Sequence, residues 1–105
     1  MIARARRCTA SVENEAAYLR HFHESVVPEL AAIDGYRGAY VLRRALEGGV
    51  ELTVMTLWES LDTIRQFAGE DVDRAVVASV AQAVLRSFEK TVTHYEIIVQ
   101  PAQVQ

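Results

Sequence analysis

The sequence predicts an α+β fold in the order β-α-β-β-α-β, a single antiparallel sheet covered by helices on one face. Three observations carry this. β-rich runs stand near both ends of the chain and in two adjacent central segments. The two central runs are joined by Glu47-Gly48-Gly49, a hairpin signal. The stretches that separate the outer runs from the central pair carry apolar residues at helical spacing.

Ile2 to Cys8 is short, partly alternating, and reads as the first strand. Ser11 follows as a helix N-cap, with Glu13 and Glu15 in the first turn, where the helix dipole favours negative charge. On a helical wheel Tyr18, Leu19, Phe22, Val26 and Leu30 fall within about 120° of arc, while Arg20 and Glu24 point away. Pro28 is expected to kink or end this helix, and Asp34-Gly35 marks a turn. Tyr36 to Arg44 and Val50 to Trp58 should pair antiparallel. Val50, Leu52, Val54, Thr56 and Trp58 share the face expected to meet the helices; Glu51, Thr53, Met55 and Leu57 share the other. Ser60 caps a short helix with Leu61, Ile64 and Phe67, ending near Gly69. Val80, Val84 and Phe88, flanked by Ala81 and Leu85, predict a further helix from Ser79 to about Glu89. Thr91 to Val99 is the last strand, stopped by Pro101. Right-handed crossovers restrict this order to a ferredoxin-like sheet spanning residues 1–100, with a tail at 101–105.

The chain has 105 residues, 50% of them apolar, which suits one domain with its own core. Lys plus Arg number 11 against 14 for Asp plus Glu, a net charge of −3, which argues against nucleic acid as a partner. One cysteine, Cys8, leaves no disulfide framework within the chain. No apolar run approaches the roughly 18–20 residues that span a bilayer, so no membrane partner is expected. The start at Arg4, Arg6 and Arg7 lacks the pattern of a secretory signal, and the expected location is the cytoplasm. No phosphate-cradling loop, nucleophile elbow or dinucleotide fingerprint occurs, and no cofactor or metal is expected. Met55 and Leu57, with either Tyr40 and Leu42 or Ala39 and Val41, make the second sheet face too apolar for exposure. Burial against another copy, a homodimer, is the simplest cover.

Met1-Ile2-Ala3-Arg4, Pro28-Glu29-Leu30, Gly35-Tyr36-Arg37-Gly38-Ala39, Leu57-Trp58-Glu59-Ser60, Phe67-Ala68-Gly69-Glu70 and His94-Tyr95-Glu96 follow one another in a familiar order and spacing. From Met1 to about Val99 the chain resembles the antibiotic biosynthesis monooxygenase-like branch of the dimeric α/β-barrel superfamily. The resemblance implies a homodimer with its sheets face to face and a pocket in each subunit between sheet and helices. Members include cofactor-independent oxygenases of aromatic polyketides and quinols, haem-degrading enzymes and proteins with no assigned activity, so fold does not convert into reaction. The family's haem ligand is a histidine on the later helix; this chain has none between Ser79 and Glu89.

The candidate catalytic residues are His23, His94 and Trp58, and the candidate substrate-binding residues are Tyr36, Tyr95, Phe22 and Arg43. Trp58, where a strand gives way to a helix, could wall a pocket or simply lock helix to sheet. His94 and Glu96, two apart on a strand, share a face with Val92 and Ile98 and could form an acid/base pair or sit within a dimer surface. As a metal site the pair lacks a third ligand. His21 and His23 face opposite ways on a helix. His23 borders the apolar stripe and could reach a pocket as a base, whereas His21 is expected in solvent. Tyr18, Tyr36, Tyr40 and Tyr95 offer phenols for a quinone or phenolic ligand, or for packing. Arg43 and Arg44 point to opposite faces, so at most one meets an anion within the subunit. Glu70, Asp71 and Asp73 read as a solvated loop. The arginines around Cys8 could lower its pKa, but no partner histidine is placed.

The expected function is a cofactor-independent monooxygenase of a small aromatic or quinol-type substrate. In that chemistry the substrate carbanion itself reduces dioxygen, and the protein supplies a base, oxyanion donors and a dry pocket. The alternative is a non-catalytic homodimeric module that binds a small ligand or a protein. A cavity of at least roughly 300 Å³ with Trp58 and His23 or His94 on its wall favours the enzyme; a pocket filled by its own side chains favours the binder.

Overall fold

A computed structural model describes residues 1–101, so the expected tail lies outside the described residues apart from Pro101. Strands β1 (Ile2–Ala10), β2 (Tyr36–Leu46), β3 (Gly49–Trp58), β4 (Ser87–Phe88) and β5 (Thr93–Glu96) form one antiparallel sheet. Its order is β2-β3-β1, with β4 and β5 sharing the far edge of β1. Helices α1 (Val12–His21), α2 (Val27–Ala31), α3 (Leu61–Ala68) and α4 (Ser79–Val84) complete the chain. This is the ferredoxin-like arrangement the sequence predicts.

The alternation in β3 decides where the core lies. Val50, Leu52, Val54, Thr56 and Trp58 are all buried beneath the helices, as expected. Across the hairpin Tyr40 pairs with Met55 and Leu42 with Thr53, whereas Ala39 and Val41 pair with Thr56 and Val54. Tyr40 and Leu42 are therefore the residues that share the outer face with Met55 and Leu57, and both are exposed.

Ser11 caps α1 through its hydroxyl, which accepts from the Asn14 amide. Ser60 and Thr63 form a reciprocal capping box on α3, which ends at Gly69. Gly35 has φ +96°, and a Cβ there would collide with the Thr63 side chain. Replacing Gly35 with alanine adds backbone strain to that collision and is expected to cost about 1–3 kcal/mol, read as a lower denaturation midpoint.

Pro28 does not stop the helix. The chain runs from α1 through one π-helical turn, Phe22–Val26, directly into α2, and the Val27 amide donates to the carbonyl of Phe22. A proline ring crowds the carbonyl four residues earlier, and widening the preceding turn relieves that clash without breaking the rod.

The second half of the chain departs from the helical pattern. The expected helix from Ser79 to Glu89 ends at Val84, because Leu85 turns extended and the Arg86 amide donates to the Thr9 carbonyl at 2.8 Å. Ser87 and Phe88 then pair with Thr9 and Cys8. The length of β1 explains this: it runs two residues beyond the predicted strand, and its free backbone edge captures the next segment. The last strand is correspondingly short, covering Thr93–Glu96 rather than Thr91–Val99, with Ile98 and Val99 exposed beyond it.

Candidate functional site

Among the hollows on the helical side of the sheet, two hold candidate polar groups. The first is a cavity of about 60 Å³ between the two helical segments, over the middle of β1 and β3. Its apolar wall includes Phe22, Leu30, Val54, Phe67 and Val77, and its polar groups are Arg4, Arg6, Tyr18, Thr56 and His21. Among the described residues no carboxylate lines it, and Arg4 and Arg6 make the cavity cationic. Arg6 Nη2 donates to Tyr18 Oη at 3.3 Å. Arg6 Nη1 and His21 Nε2 are buried without a hydrogen-bond partner. Burial holds the Tyr18 phenol above its usual pKa, against the pull of Arg6, so it is a neutral donor at pH 7.

Arg4 stands beside them. Its guanidinium donates to the carbonyls of Val72 and, at 2.8 Å, of Arg74, and contacts His94 Nε2 at 3.1 Å. Desolvation, with Arg6 nearby, lowers its pKa to about 10, which leaves it charged at neutral pH.

The second hollow is an open groove of about 590 Å³ between α1, the π turn and β2. It gathers His23, Phe22, Tyr36 and Arg43. It has ligand size, but Arg43 is already paired to Glu15 at 2.7 Å. Phe22 lines both hollows and separates them.

The remaining candidates stand elsewhere. Trp58 is fully buried, not a pocket wall: it stacks on Phe67, meets Tyr36 edge-on, and donates its indole N–H to Thr56 Oγ1 at 2.8 Å. Tyr95 pairs with Ala3 on the outer face and is exposed there, away from the cavity. His94 faces the helices, opposite Arg4 on β1, rather than a dimer surface. Its carboxylate neighbour is Asp73 of the connecting segment, at 3.4 Å, and not Glu96. Asp73 is nonetheless exposed, as are Glu70 and Asp71, in keeping with the solvated-loop reading of all three. Cys8 is buried, and desolvation raises its thiol pKa against the opposing effect of Arg6, which makes it an unreactive core residue. Arg43 and Arg44 do take opposite faces, each with its own glutamate.

The largest correction concerns histidine. A wheel centred on the sheet-facing stripe places His23 at its border and His21 outside. In the fold α4 packs along the flank of α1 that carries His21, whereas the His23 flank overhangs the open groove. His21 is thus drawn into the cavity and His23 is left exposed. Arg6 is equally hidden from sequence reasoning: only its partial alternation with Arg4 on β1 signals that both guanidiniums point inward.

The sequence comparison shows the family and the structure comparison the fold. The family model of antibiotic biosynthesis monooxygenases matches residues 1–79. No curated protein sequence matches significantly. Among solved structures, a Bacillus cereus protein assigned to that same group is similar with TM-score 0.69 at 17% identity, over 100% of this chain and 98% of its own. Rv0793 from Mycobacterium tuberculosis is similar with TM-score 0.61 at 18% identity, over 96% and 98% of the two chains. A variant of MhuD carrying two manganese protoporphyrin IX molecules per active site is similar with TM-score 0.69 at 16% identity, over 98% and 100%. At these identities the structural likeness speaks for the fold.

Proposed function

Given that the chain belongs to the antibiotic biosynthesis monooxygenase family, we propose that its cavity oxygenates a small aromatic or quinol-type carbon acid without a resident cofactor. One observation carries this: Arg6 Nη1 and His21 Nε2 are buried and unpartnered in the cavity that Arg4, Tyr18 and Thr56 also line. Leaving such groups unsatisfied is costly, and a ligand oxygen and an acidic hydrogen are the partners they lack.

In this reading Arg6 and Tyr18 hold the substrate oxygen on which charge develops, and His21 accepts the proton through Nε2. The carbanion passes an electron to dioxygen, and the radical pair collapses to a peroxide that recovers the proton from His21. Loss of water then leaves a carbonyl, so that one methylene group and one dioxygen become one carbonyl group and one water. The substrate supplies every electron, and the protein supplies position, charge and dryness.

The cavity of about 60 Å³ holds a few waters. Val76, Val77 and Ala78 of the connecting segment form one wall, and movement of that segment would enlarge the cavity for a substrate. The small volume, with neither Trp58, His23 nor His94 on the wall, favours a second reading, the non-catalytic binding module. Haem fits poorly, because α4 (Ser79–Val84) carries no histidine and a macrocycle far exceeds the space. For either reading the unit is a homodimer, through the outer face of Tyr40, Leu42, Met55, Leu57 and Tyr95.

The test is oxygen uptake over a panel of anthrone- and naphthol-type substrates with isotopically labelled dioxygen. One labelled atom in the product carbonyl and one in water is the expected result. Saturable binding with no uptake above the protein-free rate would replace the enzyme by the binding module.

A further inference from the structure

We propose that His94 and Asp73 form a proton-sensitive clasp on Arg4, which holds the Gly69–Ala78 segment closed over the cavity at neutral pH and releases it in mild acid. This regulates the site described above and rests on that cavity being the ligand site.

Arg4 projects from the central strand β1 and is only 4% exposed, with its guanidinium over the Phe67 ring. It bonds the carbonyls of Val72 and Arg74, so one side chain ties the middle of the segment to the sheet. The remaining long-range backbone ties are sparse: the Ala75 amide donates to the Lys90 carbonyl at 2.9 Å, and the Val92 amide to that of Asp73 at 2.8 Å. Beyond these ties lie Val76, Val77 and Ala78, the cavity wall.

A guanidinium has no acceptor, so the 3.1 Å contact requires Arg4 Nη1 to donate and His94 Nε2 to accept. The ring must therefore be neutral, with its proton on Nδ1 towards Asp73 Oδ1 at 3.4 Å. A second proton on Nε2 would set two donors and two positive charges against each other. The charged groups around the ring are Arg4 and, behind it, Arg6 from β1, Asp73 from the connecting segment, and exposed Glu96 on its own strand. Burial, with help from Arg4, lowers the His94 pKa below 6.5, and Asp73 opposes this. The ring is then neutral and the clasp closed at pH 7. As pH falls through the lowered value, His94 charges, turns to Asp73 and ceases to accept from Arg4.

Hydrogen exchange of the Arg74, Ala75 and Val92 amides, corrected for the intrinsic rate, tests this at about pH 7.5 and about pH 5. Protection of all three is expected to drop about tenfold or more in acid, while β3 amides hold theirs. In His94→Gln the amide oxygen still accepts and does not titrate, so protection should stay high at both values. In Asp73→Asn the opening midpoint should move to lower pH, because the group that raises the His94 pKa is gone. Unchanged wild-type protection in acid, or an equal acid loss in His94→Gln, overturns the clasp. Oxygen uptake plays no part in this readout, so failure of the monooxygenase reading and failure of the clasp are separately visible.

Discussion

Replacing Trp58 with alanine is expected to remove about 3–5 kcal/mol of folding stability, the largest effect of any single substitution in the core. The indole is 0% exposed and joins three partners at the end of β3: Phe67 of α3 at 5.9 Å between ring centroids, Tyr36 of β2 at 5.5 Å, and the Thr56 hydroxyl at 2.8 Å. Leu30 and Ile64 complete the cluster, so the cavity left behind is walled by three elements already fixed by their own strands and caps and cannot collapse. In a domain of this size the thermal midpoint should fall by about 12 °C or more, followed by far-ultraviolet circular dichroism. Trp58→Phe separates packing from hydrogen bonding. It keeps the ring contacts and forfeits the N–H, for an expected cost of about 1–2 kcal/mol. Equal losses in the two variants would mean that the bond to Thr56, and not the ring, holds this end of the sheet.

Trp58 also shows why the fold is more legible than the site. The alternation from Val50 to Trp58, the Glu47-Gly48-Gly49 hairpin and the caps Ser11 and Ser60 are local signals, and each folds as written. The pattern at Val80, Val84 and Phe88 is local too and fails, because the free edge of β1 at Cys8 and Thr9 outweighs helical periodicity beyond Val84. Site residues depend on contacts of that longer kind. Residue type and strand or helix position single out Trp58, His23, His94, Tyr95, Tyr36, Phe22 and Arg43. The fold gathers His23, Tyr36, Phe22 and Arg43 along the open groove, leaves Trp58 in the core, Tyr95 on the outer face and His94 beside Arg4, and puts only Phe22 on the cavity wall. Arg6 and His21 meet at one cavity because α1 lies over β1, with Tyr18 bonded to Arg6, and α4 closes the His21 flank, which no spacing within α1 encodes.

His21→Ala should therefore separate the two halves of the proposal most sharply. If His21 takes the substrate proton, its loss should lower kcat about 10²- to 10⁴-fold, with much less change in KM. Arg6→Met should act on both if its unpartnered Nη1 binds the substrate oxygen in the ground state and holds its charge as it grows. His23→Ala should leave turnover near the wild-type rate, because that ring is exposed over the groove and touches none of the cavity's polar groups. His21→Ala removes no hydrogen bond from the orphaned nitrogen, whereas Arg6→Met also removes the bond from Arg6 Nη2 to Tyr18, so unfolding midpoints are compared for both and an unchanged value confines the loss to chemistry. A fall in kcat for His23→Ala equal to that for His21→Ala would move the reacting centre into the open groove. The cavity's two orphaned nitrogens would then belong to a binding function instead.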